Sequence, residues 1–203
     1  MPAEPALTED AGTGPGAAVG ATPAVDPAEF RTAMAEFATG VTVVTALDGG
    51  EPVGFACQSF ASVSLEPPLI LFCADRRGRS WPRIRAAGRF CVNVLAEEQR
   101  ELCERFGSRR GTKFEDLDWD VSPWGTPRLP DVLLGVHAAV HDVHQAGDHE
   151  IVVGRVLGIE RHDVRDGAWR RPMVFFRSRF GINEPDAPIA PDPWGIGDRW
   201  GWG

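Results

Sequence analysis

The sequence predicts a mainly β protein, an antiparallel barrel with a few short helices. Three observations predict it. Short runs of β-branched, aromatic and aliphatic residues recur from Val41 to Phe176, each bounded by Gly, Pro or Asp turn residues. The runs show no strand–helix–strand rhythm of the kind that builds a parallel sheet. The helical patterns are few and short and lie between the strand runs, an arrangement that suits a barrel better than a sandwich.

In chain order, residues 1–25 are rich in Ala, Gly and Pro with almost no large apolar group, and read as a disordered tail. Their GTGPG resembles a dinucleotide-binding glycine motif, but it follows no strand and the spacing fails at Val19. Asp26-Pro27 opens an amphipathic helix to about Ala38, with Asp26 as N-cap, Phe30, Met34 and Phe37 on one side, and Gly40 as its stop. Strands are expected at Val41–Ala46, Val53–Leu65, Leu69–Ala74 and Phe90–Leu95, with DGGEP and EPP as turns. Ser80–Ala87 and Glu97–Phe106 read as short helices, the first capped by Ser80 with Pro82 close behind. Leu134–His144 and Glu150–His162 form a hairpin through QAGDH, and Met173–Phe176 is the last strand. From Glu184 the chain is again Pro- and Gly-rich but carries Trp194, Trp200 and Trp202. The expected organisation is therefore one domain, residues 26–183, between tails at 1–25 and 184–203.

Composition narrows the function. A formal charge of −8 argues against general binding of nucleic acid, which needs a basic face. No apolar run approaches the roughly 20 residues of a membrane span, and no basic region precedes an apolar one as in a secretion signal. The expectation is a cytoplasmic protein. Cys57, Cys73, Cys91 and Cys103 are widely spaced without a C-x-x-C pair, and read as buried thiols rather than zinc ligands.

The stretch GFACQSFASVSLEPP, residues 54–68, raises a question. With a period of two, Phe55, Cys57, Ser59, Ala61, Val63 and Leu65 share one face; Gly54, Ala56, Gln58, Phe60, Ser62 and Ser64 share the other. This second face is polar in places but carries no charge, which is odd for plain solvent and costly for an ordinary core. A face that meets a planar polar ligand is a third reading, with Gly and Ala permitting close approach. The helix start at Ser80 with Arg79 beside it suits a phosphate, or is one part of a solubilising arginine cluster. His137 and His141 face one way on a strand and His144 the other, so no metal site is expected. His149, at the hairpin tip, either touches a ligand at the barrel rim or bonds its own turn. There is no G-x-S-x-G, H-E-x-x-H or P-loop, and no nucleophile stands out. That points to a protein that positions a cofactor and lets the cofactor react.

The segments FRTAMAEFATGVTVVTA, GFACQSFASVSLEPPLILFCA, RSWPRIRAAGRFCVNVLAEEQ, KFEDLDW, GDHEIVVGRV and RPMVFF stand in the order that marks the flavin reductase family. The resemblance runs from about Phe30 to Gly181. GFACQSF with RSW is especially similar to reductases serving aromatic-ring and steroid-ring hydroxylases. The resemblance implies an FMN-binding split barrel of six antiparallel strands in Greek-key order, working as a homodimer. It implies FMN or FAD as cofactor, NADH or NADPH as hydride donor, and a separate flavin-dependent oxygenase that receives reduced flavin. Backbone groups of Pro52, Val53, Gly54, Phe55 and Ala56, with the side chains of Gln58 and Ser59, would line the flavin. A bulge near Gln58 would reconcile those two side chains with a regular strand. Cys73, Ala74 and Asp75 would border the ring, and Arg79 and Ser80 would hold the phosphate. Arg105, Phe106, Lys113 and Phe114 match positions near the flavin tail, and His149 is similar to the family histidine that meets the nicotinamide. The chain departs from many relatives in having no Tyr, with Phe at 176 and 180, and in having Phe55-Ala56-Cys57 where relatives carry Thr-Ala-Asn or Thr-Ser-Asn. The other readings of such a barrel are a non-catalytic flavin- or haem-binding protein and an oxidase of a small amine or alcohol. The barrel alone does not separate the three.

Overall fold

The structure, a computed structural model, describes residues 24–109, 113–162, 164–165 and 168–181. Apart from Ala24 and Val25, the two expected tails lie outside the described residues. Helix α1 is Pro27–Met34, and the Asp26 carboxylate accepts from the backbone N–H of Ala28 and Glu29 at 2.9 and 3.0 Å, as a cap should. It ends before the expected Ala38. The Arg177 N–H takes the Ala35 carbonyl, and Thr39–Gly40 then pairs antiparallel with Val174–Phe175, so Gly40 lies in a short strand instead of stopping the helix.

The main sheet is built from β1 (Thr42–Asp48), β2 (Glu51–Cys57), β3 (Ala61–Leu65), β4 (Pro68–Asp75), β5 (Arg89–Val94), β6 (Leu134–Ala146) and β7 (His149–Arg161). Its order is β2-β1-β5-β6-β7-β4-β3, antiparallel throughout. It has seven strands rather than six because the expected single strand Val53–Leu65 is broken after Cys57. Ser59 breaks it. Its hydroxyl oxygen accepts from the Cys73 N–H at 2.8 Å and donates to the Cys73 carbonyl at 3.3 Å, hooking the chain onto β4. Gln58 turns the other way, its Oε1 accepting from the Thr39 hydroxyl at 3.2 Å. The two edge strands, β2 and β3, are thus joined through a corner. The curled sheet brings β2 back against β4, where Phe55 meets Phe72 at 6.0 Å. The barrel closes through side chains instead of a continuous ladder, which is what makes it split.

Phe72 fills the interior, with Phe90 at 5.2 Å and Trp81 at 5.9 Å, both edge-on. Val44, Val53, Val92, Val136 and Val152 surround them. Trp81 belongs to α2 (Ser80–Ala87), which ends on Gly88 with φ +71°. Helix α3 (Arg100–Gly107) packs outside the barrel, where Cys103 and Phe106 meet Val41, Val43 and Ala56. It starts three residues after the expected Glu97 because the Gln99 side chain bonds the Ala96 N–H and the Pro130 carbonyl, holding that turn outside the helix. The second face of GFACQSF therefore has an explanation at Gly54 and Ala56. A Cβ on Gly54 would stand 2.8 Å from the Val44 carbonyl and 2.9 Å from the Phe106 ring, so its smallness admits α3.

Among the described residues no helix is long and apolar enough to cross a membrane, and no group of His, Cys, Asp and Glu is placed to hold a metal. The four cysteines are free.

Candidate functional site

The Gly54 carbonyl of β2 is where three segments meet. It accepts from the Ser80 hydroxyl at 2.9 Å and from Lys113 Nζ at 3.0 Å, and Lys113 also reaches the Phe106 carbonyl at 2.8 Å. Ser80 is thus not the expected cap. Arg79 occupies the N-cap position with no side-chain cap bond, and the Ser80 hydroxyl is spent on β2. The Arg79 guanidinium donates to the Arg109 carbonyl. Burial, and then the positive charge of Arg79, push the Lys113 amine down to about 8. Among the described residues neither cation has a carboxylate partner. Two neighbouring cations beside the start of a helix without a side-chain cap are the chemistry that suits an anion.

The other end of the site is His149, the first residue of β7, in register with Asp75 of β4. It follows a two-residue turn in which Gly147 has φ +65°. Its Nδ1 lies 2.8 Å from the Asp148 carboxylate, which the imidazole holds below its usual pKa. The His149 side chain is 14% exposed, and its Nε2 is buried with no hydrogen-bond partner. Buried ring nitrogens are normally hydrogen-bonded, so Nε2, on a ring fixed through Nδ1, is a candidate ligand contact. The loop from Asp75 to Arg79 links the two ends. The Arg76 N–H donates to the Asp148 carbonyl at 3.1 Å, and Arg77 pairs with Asp75 at 3.3 Å and Asp148 at 3.5 Å.

The remaining expected residues divide. Cys73 and Asp75 line β4 between the two ends, while Ala74 points into the core. Val53 and Phe55 face the barrel interior, Ala56 faces α3, and Pro52 sits opposite Leu47. Phe106 lies under Gly54 with Phe114 edge-on at 5.0 Å. Gln58 and Ser59 are committed to Thr39 and Cys73. Arg105 turns to the Glu115 carbonyl at 2.7 Å, and among the described residues no hydrogen bond or ion pair joins it to Arg79 or Lys113. His137 is structural: buried, stacked on Trp124 at 4.5 Å and bonded to Thr126 and Glu160, with burial pushing its pKa down. The sequence expectations include His149 but miss Glu150 beside it. Its signal was available, as a carboxylate alternating with Val152 on the inward side of a strand.

The curled antiparallel sheet thus carries the start of α2 with two cations at one end of the candidate site and the His149 imidazole at the other. Residues 34–183 match the model of the Flavin reductase like domain, and the chain belongs to that family. Among curated relatives, it is 48% identical over 182 residues to the reductase subunit HsaB of a flavin-dependent monooxygenase from Rhodococcus jostii (strain RHA1), covering 90% of this chain and 89% of that protein. It is 42% identical to a flavin reductase from Pseudomonas putida, over 78% of this chain and 91% of that one. Among solved structures, it resembles nitrilotriacetate monooxygenase component B from Mycobacterium thermoresistibile, with a TM-score of 0.72 and 45% identity over 80% of this chain and 89% of that one. It also resembles the Streptomyces globisporus NADH:FAD oxidoreductase SgcE6 in complex with NAD and FAD fragments, with a TM-score of 0.71 and 34% identity over 82% of this chain and 99% of that one.

Proposed function

We infer that the protein is an NAD(P)H:flavin oxidoreductase, of the EC 1.5.1 type, that reduces FMN or FAD at the expense of NADH and supplies reduced flavin to a separate monooxygenase. The observation that carries this reading is the two-ended site: among the described residues, Arg79 and Lys113 have no carboxylate partner and His149 Nε2 has no hydrogen-bond partner. The kinship to named reductase subunits supports it. Hydride acceptance is chemistry that the flavin supplies when bound. The chain's part is to bind and orient. Arg79, Lys113 and the start of α2 would take the phosphate, with the Ser80 hydroxyl holding α2 on β2. Backbone groups around Gly54 and residues Cys73 and Asp75 would border the ring system. His149, fixed through Nδ1 by Asp148, would present Nε2 to the nicotinamide amide. None of these groups needs to move a proton, so proximity and alignment are the protein's contribution to rate.

The same reading includes a homodimer, supported by the exposed apolar side chains of Phe30, Phe37 and Leu65. It also includes a cytoplasmic location, supported by four free thiols. The test is NADH oxidation by purified protein with and without added FMN or FAD. Oxidation that depends on and saturates with flavin is expected. No oxidation from a protein that retains a coloured cofactor would overturn the reading in favour of a binding protein.

A further inference from the structure

Glu150 follows His149 on β7, and its side chain is on the opposite, inward side of the strand, 11% exposed. The Trp81 indole N–H donates to it at 2.6 Å, and Arg85 donates to both its oxygens at 3.2 Å. Among the described residues all of its side-chain partners therefore come from α2. Its neighbours in register are the core residue Ala74 on β4 and the exposed Gln145 on β6, and Val152, the next inward residue, is in the core. An apolar side chain would fill such a position at lower desolvation cost, so packing does not account for the carboxylate. What the carboxylate adds is direction. It joins the strand that begins with His149 to the first turn of α2 at Trp81, one residue from Ser80 and two from Arg79.

We propose that Glu150 is a positioning residue which, through Trp81 and Arg85, fixes the first turn of α2 relative to His149 and so sets the span between the phosphate end and the nicotinamide end of the site. The proposal rests on the reductase reading above. His149 has its own support in Asp148 and in the backbone pairing of β7. Loss of the Glu150 link therefore releases the α2 end alone. A purely electrostatic role predicts the opposite sign, because removing a negative charge near an anion site tightens anion binding.

The experiment compares wild type, Glu150→Gln and Trp81→Phe. FMN and riboflavin, which differ by the phosphate, are titrated by quenching of flavin fluorescence, and NADH oxidation is followed at steady state. Each variant is expected to lose about tenfold of the preference for FMN over riboflavin. The KM for NADH should stay within about twofold, since the two ends are then independent. Trp81→Phe keeps an aromatic ring against Phe72, and so serves as a folded variant if Glu150→Gln does not fold. An unchanged or increased FMN preference in the folded variants overturns the proposal. Absence of flavin-dependent NADH oxidation by wild type overturns the reductase reading instead, and the fluorescence titrations still decide the role of Glu150.

Discussion

His149 and Lys113 carry opposite ends of the same argument. His149 has one ring nitrogen spent on Asp148 and the other buried and bare, so truncation removes a ligand contact without exposing a charge. His149→Ala is expected to raise the KM for NADH about tenfold, the worth of one hydrogen bond to a buried partner. Flavin affinity should hold; an unchanged KM for NADH would remove the role. Lys113 makes a prediction in pH. Its pKa is depressed to about 8, so it is cationic below that value and neutral above it. The preference for FMN over riboflavin should therefore fall as pH rises through about 8, by about tenfold for the loss of one charge-assisted contact. A bound phosphate favours the charged amine, so the complex titrates above the free protein. Lys113→Met should abolish the step, and fluorescence titrations at a series of pH values read it directly.

At the scale of elements, the close fit of β2 between β1 and α3 depends on Gly54. A Cβ there meets the Val44 carbonyl, a backbone atom that cannot swing aside, as well as the Phe106 ring. Gly54→Ala is expected to destabilise by about 1–3 kcal/mol through overpacking. The urea midpoint should drop with the slope unchanged. FMN binding should weaken too, because the carbonyl that receives Ser80 and Lys113 belongs to the displaced residue. The elements also mark where reading the sequence stops. The hairpin tip, the Asp26 cap and the helix at Ser80 were legible because each is written in adjacent residues. The corner at Gln58–Phe60 was not. It depends on a hydroxyl meeting the backbone of Cys73, fourteen residues away, and alternation reads straight across it.

Across the whole molecule, α1 is the element least explained by one chain. None of its residues is buried: Phe30 and Met34 remain 51% and 37% exposed, and Phe37, in the bend that follows, is 74% exposed. The proposed homodimer gives these side chains a place to go. Sedimentation is expected to report twice the chain's mass, and Phe30→Glu combined with Phe37→Glu to report a monomer that keeps its fold, since neither ring belongs to the core. A wild-type monomer would remove the dimer from the reading.

The sequence by itself determined the β class, the alternation of small and large residues on the strands, the Asp26 cap and the span of the helix at Ser80. These are set by local sterics, period and turn chemistry, which neighbours along the chain decide. The resemblance to flavin reductases named the ligand that the two ends of the site would share. Only the tertiary structure decided which groups are spent and which remain free. It committed Ser59 to closing the barrel, Ser80 to β2 and Arg105 to Glu115, and among the described residues it left Arg79 and Lys113 without a carboxylate and His149 Nε2 without a hydrogen-bond partner. Whether a polar group is satisfied depends on partners brought together across the barrel, and that information is not present at any one position of the chain.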